Sequence, residues 1–425
     1  MKVFIILATF ILAGIALFAP WLGAFMYHLA SLLQPQALWR WQFEGIPIFK
    51  IFAGVSLLSA AMRIFQNQVS FDIYKSRFTI AILLLFALLH IGNITSPFES
   101  KALAHAINQV LATLNTIVIM YFTTLALLQK EQHIINLSWA LIIAACYYTY
   151  WGNIAYIEQD WSKFYQGRLA GIYRSQYADA NLLAVMLVMA YPFMMLTALR
   201  QNSAIKKIVL MGFILLLWHT IFLIGSRGSL LGLGACTLFL AHIVKSKKFK
   251  ITIALALVGA LITQGGIIMS RSQETEASSD EPINPRIASW GVGMDLAWEY
   301  PLTGVGVRKF VTASDALYPG RSPHVAHNTL IGLSAESGLP AGAAFILLLL
   351  TARRSYRYTQ RNEQIISSNM LYINNASGAS ILGFAVCSIF LDLTIFEPFY
   401  FMIIIIQAKD FIVRQQIKDQ LQATI

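Results

Sequence analysis

The sequence predicts an all-α, polytopic membrane protein with about 12 transmembrane helices, and three observations carry that prediction. The 425 residues are 57% hydrophobic and only 12% charged, where a soluble domain has roughly 25% charged residues. Apolar runs recur along nearly the whole chain, each near the roughly 20 residues that cross a bilayer. The short segments rich in Lys and Arg fall on one side of the membrane when the runs alternate in direction.

The runs lie near 3–34, 46–64, 77–95, 106–128, 134–156, 180–199, 207–225, 228–245, 250–269, 327–351, 370–391 and 397–413. The first opens "MKVFIILATFILAGIALFAP". It lacks a small-x-small cleavage site and further spans follow, so it reads as a retained anchor, not a signal peptide. Pro20 interrupts it, leaving either one bent span or a span followed by a surface helix. Cys146, Cys236 and Cys387 sit in separate spans with neither disulfide nor metal spacing, and read as small buried hydrophobes.

Orientation follows from "RQNSAIKK" (Arg200 to Lys207), "KSKKFK" (Lys245 to Lys250), "ARRSYRYTQR" (Ala352 to Arg361) and the tail "VRQQIK". These basic segments are expected in the cytoplasm, together with both termini. The net charge of +11 is then topogenic, and no nucleic-acid partner is expected. Three regions follow: 1–165, N-terminal spans; 166–352, a core with a long non-cytoplasmic loop at about 270–326; and 353–425, C-terminal spans and a cytoplasmic tail.

Positive charge on the opposite side has no topological purpose. Arg168, Arg174, Arg227, Arg286, Arg308, His324 and His327 all project there, and so does "LDLTIFEP". Gathered cations at that face point to an anionic ligand. In "GSRGS" the glycines allow a tight helical hairpin that presents Arg227, whose planar fork suits phosphate oxygens. An arginine there could equally snorkel to headgroups. Asp179 and Asn181 precede a span and suit helix capping. Arg286 opens an amphipathic helix whose Ile287, Trp290, Met294 and Trp298 recur at helical spacing and are expected to face the membrane or the bundle. Its charge opposes the dipole at a helix start. Gly304 and Gly306, before Arg308, allow a tight backbone path. Asn328 can cap the following span while His327 faces the aqueous mouth, as a base for a sugar hydroxyl or bonded to a loop carbonyl. His324 lies in loop. Two histidines three apart lack the company of a zinc site.

Four stretches in order, "RLAGIYRSQYADANLLA", "SRGSLLGL", "RIASWGVGMDLAWEYPLTGVGVRKF" and "HNTLIGLSAESGLPAG", resemble the O-antigen ligase and polymerase superfamily. These are integral-membrane glycosyltransferases of bacterial surface polysaccharide assembly. The last stretch reads His-Asn, nine residues, then Gly338, as in the ligase signature. A branch of protein O-oligosaccharide ligases carries Asn-Pro-His where this chain has Gln34-Pro35-Gln36, a departure that leaves the acceptor open.

The resemblance implies a GT-C-like bundle in the bacterial inner membrane with its active site facing the periplasm. It implies a glycan donor on undecaprenyl diphosphate and a lipid A–core acceptor, or a protein acceptor, amid membrane lipids. No metal, nucleotide sugar or other cofactor is expected. His327, Arg227 and Arg286 are the expected catalytic residues, and Arg168, Arg174, Arg308 and His324 are expected to hold diphosphate or glycan. A single displacement would invert the anomeric carbon. An O-antigen polymerase uses the same donor. A transporter of lipid-linked glycan would instead place ionisable groups near the bilayer midplane, where this chain offers only Glu336 as a clear acid.

Overall fold

The computed structural model describes residues 2–99, 101–247, 250–251, 285–321 and 324–423. The protein is an all-α membrane bundle. Its described helices are α1 (Lys2–Phe18), α2 (Pro20–Leu33), α3 (Pro35–Leu38), α4 (Arg40–Phe43), α5 (Ile48–Phe65), α6 (Arg77–Thr95), α7 (Ala104–Leu127), α8 (Glu131–Ile157), α9 (Ala180–Arg200), α10 (Ala204–Ile224) and α11 (Arg227–Ile243). After residues 252–284 come α12 (Pro285–Glu299), α13 (Phe310–Leu317), α14 (Thr329–Ser337), α15 (Leu339–Arg361), α16 (Ser368–Ser388) and α17 (Glu397–Ala423). A two-stranded ribbon, β1 (Phe164–Tyr165) and β2 (Arg168–Leu169), pairs antiparallel between α8 and α9.

Seven described helices are long and apolar enough to cross a membrane: α5 to α10 and α16. The other expected crossings fall on α1 and α11, apolar but shorter, and on α15 and α17, whose C-terminal turns are charged. The expected span at 250–269 lies almost wholly outside the described residues, as does the polar loop up to residue 284.

Helix α9 is the most enclosed candidate span, and α16 packs against both it and α11. The α11–α16 crossing is close because two glycines meet there. A Cβ at Gly232 would meet Cys387 Sγ at 2.5 Å, and one at Gly383 would run into Cys236 Sγ. Small residues let backbones approach where lipid gives helices no hydrophobic reason to associate. Cys236 and Cys387 are buried in that crossing without a disulfide, and Cys146 is half-buried.

Two expected runs are each divided into two helices. The 3–34 run is two helices, broken between Phe18 and Pro20. The second, α2, is no surface helix, since it packs on α5 and α8 with Ala24, Tyr27 and His28 buried. The 327–351 run is also two helices, α14 and α15, divided at Gly338 with φ of +86°. Both halves are apolar, so hydropathy alone hides the break.

For α12 the structure selects between the two expected surfaces. Its expected apolar stripe is largely exposed, with Ile287 at 61%, Met294 at 51% and Trp298 at 74%. The face that packs on α14 carries Ser289, Val292, Gly293, Leu296 and Ala297. A Cβ at Gly293 would collide with Ile331, so a smaller-residue stripe seats the helix. The outward stripe keeps the character expected of a membrane-facing surface.

Candidate active site

The ligase-like signature has a direct structural meaning. The nine residues between His327-Asn328 and Gly338 are helix α14 in its entirety. Asn328 caps its start, Oδ1 accepting from the backbone N–H groups of Leu330 at 3.0 Å and Ile331 at 3.1 Å. At its end the carbonyls of Ala335 and Glu336, which have no helical partner, accept from Val305 N–H and Gly306 N–H, each at 2.9 Å. The path that brings those donors in has positive φ at Gly304, Gly306 and Arg308. A side chain at Gly304 would strike the Glu336–Ser337 backbone, and one at Gly338 would strike Leu302. The Glu336 carboxylate accepts from the backbone N–H groups of Arg308 and Phe310, pinning the start of α13. Glu336 thereby ties the end of α14 to the start of α13.

His327 stands immediately before the cap with φ of +47°. That left-handed conformation is costly for a residue with a Cβ, and such outliers concentrate at functional sites. Arg174 and Arg308 also have φ near +60°.

The imidazole of His327 is half-buried, and four charged groups act on it. Burial lowers its pKa below the ordinary 6.5, the positive charge of Arg286 lowers it further, Asp392 opposes this, His324 adds a small depression and Asp179 a small increase. His324, Arg286 and Asp179 are exposed, and Asp392 is half-buried. Asp392 belongs to the α16–α17 connection. The Thr329 hydroxyl of α14 clamps that connection by donating to Leu391 O at 2.7 Å and accepting from Leu393 N–H at 3.0 Å. Asp392 Oδ1 accepts from the Thr394 N–H at 3.2 Å and hydroxyl at 2.8 Å. A Cβ on Gly332 would lie 4.0 Å from its carboxyl carbon, so the acid sits over the second turn of α14.

Arg168 is placed by the β1–β2 turn, where Gln166 and Gly167 both have positive φ, as a two-residue hairpin requires. Its Nε donates to the Ile224 carbonyl at 2.7 Å and Nη2 to Asn181 Oδ1 at 3.3 Å. Ile224 ends α10, and Gly225, at φ of +67°, turns the chain into α11. Arg168 thus ties the "GSRGS" turn to the start of α9, where Asp179 Oδ1 caps by accepting from Asn181 N–H at 2.8 Å.

Arg227 is the first residue of α11 and is exposed. Among the described residues its guanidinium makes no hydrogen bond or ion pair. Ser226, at the N-cap, offers no side-chain cap, because its hydroxyl pairs with that of Ser229 at 3.0 Å. Gly228 lets this turn lie against Phe390, whose Cβ would be 3.0 Å from an added Cβ. Arg227 is thereby brought beside the α16–α17 connection that carries Asp392.

One linked surface therefore holds Arg168, Arg227, Arg286, His324 and His327, with Arg308 joined to it through Glu336. Arg174 is not part of that linkage: it is exposed and stacks on Tyr173, 5.2 Å from the ring centroid. The β1–β2 ribbon and Asp392 were not singled out by sequence. The Gln-Gly pair signals the first; the second was visible only as an acid in a short loop. Among the described residues no three His, Cys, Asp or Glu side chains come together as a metal site would need.

The site makes a pH prediction. A depressed His327 pKa means the imidazole is neutral, and able to accept a proton, through neutral pH. Activity should fall only as pH drops through a value below 6.5. Arg286→Gln removes one depressing charge, so the acidic limb of kcat/KM should move to higher pH. An acidic limb that stays in place in this variant would separate the limb from His327.

No curated protein matches the chain. Residues 211–346, from within α10 through α14 into α15, match the family model described as O-antigen ligase. That segment contains Arg227, Arg286, Arg308, His324, His327 and Gly338, so the stretch of this membrane protein that holds these residues is similar to membrane enzymes of the O-antigen ligase and polymerase type.

Proposed function

We propose that the protein is the ligase of that pair. It moves a glycan from undecaprenyl diphosphate to a hydroxyl of lipid A–core oligosaccharide at the periplasmic face of the bacterial inner membrane. The observation that carries the reading is α14, a helix capped at both ends that holds His327 among Arg286, His324, Asp392 and Asp179.

The reaction needs one bond made and one broken. The acceptor oxygen bonds to the anomeric carbon from the face opposite the leaving group, and the bond from that carbon to the diphosphate oxygen breaks. The anomeric configuration inverts. His327 takes the acceptor hydroxyl proton, and the negative charge of Asp392 favours the imidazolium so formed. Undecaprenyl diphosphate leaves with additional negative charge. Arg227, beside the free N–H groups at the start of α11, and Arg286 are suited to neutralise it. Arg168 holds the Ile224 carbonyl and so the turn that presents Arg227. Arg308 and His324 contact the diphosphate or the glycan. Arg174 is an outlying contact for donor or acceptor. No step calls for a metal.

The surface glycans of a strain lacking this protein distinguish the ligase from its relatives. Lipid-linked polymer accumulating beside unmodified lipid A–core is the expected result. Loss of the polymer itself would make the protein a polymerase. Intact lipopolysaccharide with loss of a protein-linked glycan would make the acceptor a protein.

A further inference from the structure

The end of the bundle away from His327 contains a cavity of about 670 Å³. It is an open cleft bordered by the segment entering α6, the C-terminal turns of α15 and the middle of α17. Helix α6 links the two ends: Arg77 lines the cavity, whereas Gly92 packs on Thr303 and Glu336 beside α14. The basic segments place this end in the cytoplasm.

Six cations line the cavity against two carboxylates. Two cations are paired, Lys75 with Asp72 at 2.8 Å and Arg414 with Asp410 at 3.1 Å. Arg77, Arg354, Arg357 and Arg361 have no carboxylate partner among the described residues. A second observation is independent of charge. Thr351 lines the same cavity and is only 8% exposed, yet its hydroxyl has no hydrogen-bond partner among the described residues. Two turns on, Thr359 satisfies its own hydroxyl by donating to the Ser355 carbonyl at 3.1 Å. A buried hydroxyl left unmade costs about 1–3 kcal/mol, so a resident acceptor would relieve it.

The third observation lies behind the wall. Lys409 is fully buried, and its Nζ donates to Ser355 Oγ at 2.7 Å, Thr359 Oγ1 at 3.0 Å and Asn374 Oδ1 at 3.0 Å. Ser355 itself lines the cavity. Topogenesis asks only for cations in a loop. It requires neither a cavity nor an unpaired hydroxyl nor a buried lysine behind it.

We propose that this cavity binds a phosphate-bearing anion, either the headgroup of an acidic phospholipid or free phosphate. Guanidinium forks on successive turns of α15 suit bidentate contact with phosphate oxygens, and Thr351 supplies a neutral donor. The site is separate from glycan transfer and stands whether or not that reading does.

The test uses the purified full-length protein in neutral detergent with three probes: phosphatidylglycerol, phosphatidylcholine and inorganic phosphate. Binding is read by native mass spectrometry for the lipids and by equilibrium dialysis for phosphate. The protein is expected to hold phosphatidylglycerol or phosphate in preference to phosphatidylcholine. Arg354→Gln/Arg357→Gln should weaken that binding at least about tenfold. Lys206→Gln/Lys207→Gln, which removes equal charge outside the cavity, should leave it unchanged. Retention of phosphatidylglycerol against millimolar phosphate assigns a lipid source, and displacement by phosphate assigns the free anion. If the double variant does not fold, the exposed single Arg357→Gln gives the same reading. No preference for either anion, equal binding by the Arg variant, or equal loss in the Lys variant overturns the proposal.

Discussion

His327→Ala is expected to lower glycan transfer by about a hundred- to ten-thousand-fold, the contribution of a positioned base, while the protein still inserts and still binds lipid-linked donor. The expectation rests on where the imidazole stands. It precedes the cap of α14, half-buried, with a pKa held below 6.5 by burial and by Arg286. His324 is exposed and lies in irregular chain, so His324→Ala should cost far less. The left-handed backbone at His327 supplies a further control. Asn tolerates positive φ better than other residues with a Cβ, so His327→Asn removes the base and spares the turn. Both His327 variants should lose turnover alike. The measurement is transfer from purified lipid-linked donor to lipid A–core, with donor binding measured alongside. Normal transfer by either variant, or failure traced wholly to lost donor binding, would reduce His327 to a structural or binding residue.

How much of this was legible in the sequence depended on what each feature is made of. The spans were legible because burial in lipid demands long apolar runs, and boundaries such as α6 and α9 lie close to where hydropathy put them. Asn328 was legible as a cap because capping is local chemistry. The break at Gly338 was not, since α14 and α15 are both apolar and the turn is fixed by the distant Leu302 backbone. Which of the two faces of α12 packs on the bundle was not legible for a related reason. Trp and Ile carry the strongest apolar signal, but Val292, Gly293 and Leu296 fit against α14. Asp392 escaped notice because its proximity to His327 depends on the Thr329 clamp across 62 residues, a contact no local pattern encodes. Arg168, Arg227, Arg286, His324 and His327 are linked through Ile224, Phe390 and Asp392, contacts between distant segments, and the exposed Arg174, which stacks on Tyr173, has no such contact to read.

Arg227→Ala is expected to reduce turnover by about a hundredfold or more, the usual effect of removing a donor aimed at developing negative charge. Arg227→Lys keeps the charge but loses the planar fork, and should also be clearly impaired. Arg227 is the first residue of α11, where a cation opposes the helix dipole, and no side chain caps the N–H groups beside it. In the empty protein that arrangement is unfavourable, by roughly 0.3–1 kcal/mol for an exposed terminal charge. Bound diphosphate would reverse the sign, because guanidinium and helix terminus then address the same anion. The variant therefore makes two opposed expectations. Arg227→Ala should leave the thermal stability of the free protein unchanged or slightly raised, while turnover collapses. An arginine that merely snorkels to headgroups would show the converse, with stability in the membrane reduced and turnover spared. EDTA should leave the wild-type rate intact, since the arginines take the role that a divalent ion would otherwise fill. Full turnover in Arg227→Ala, or loss of wild-type activity in EDTA with rescue by a divalent ion, would remove Arg227 from the chemistry.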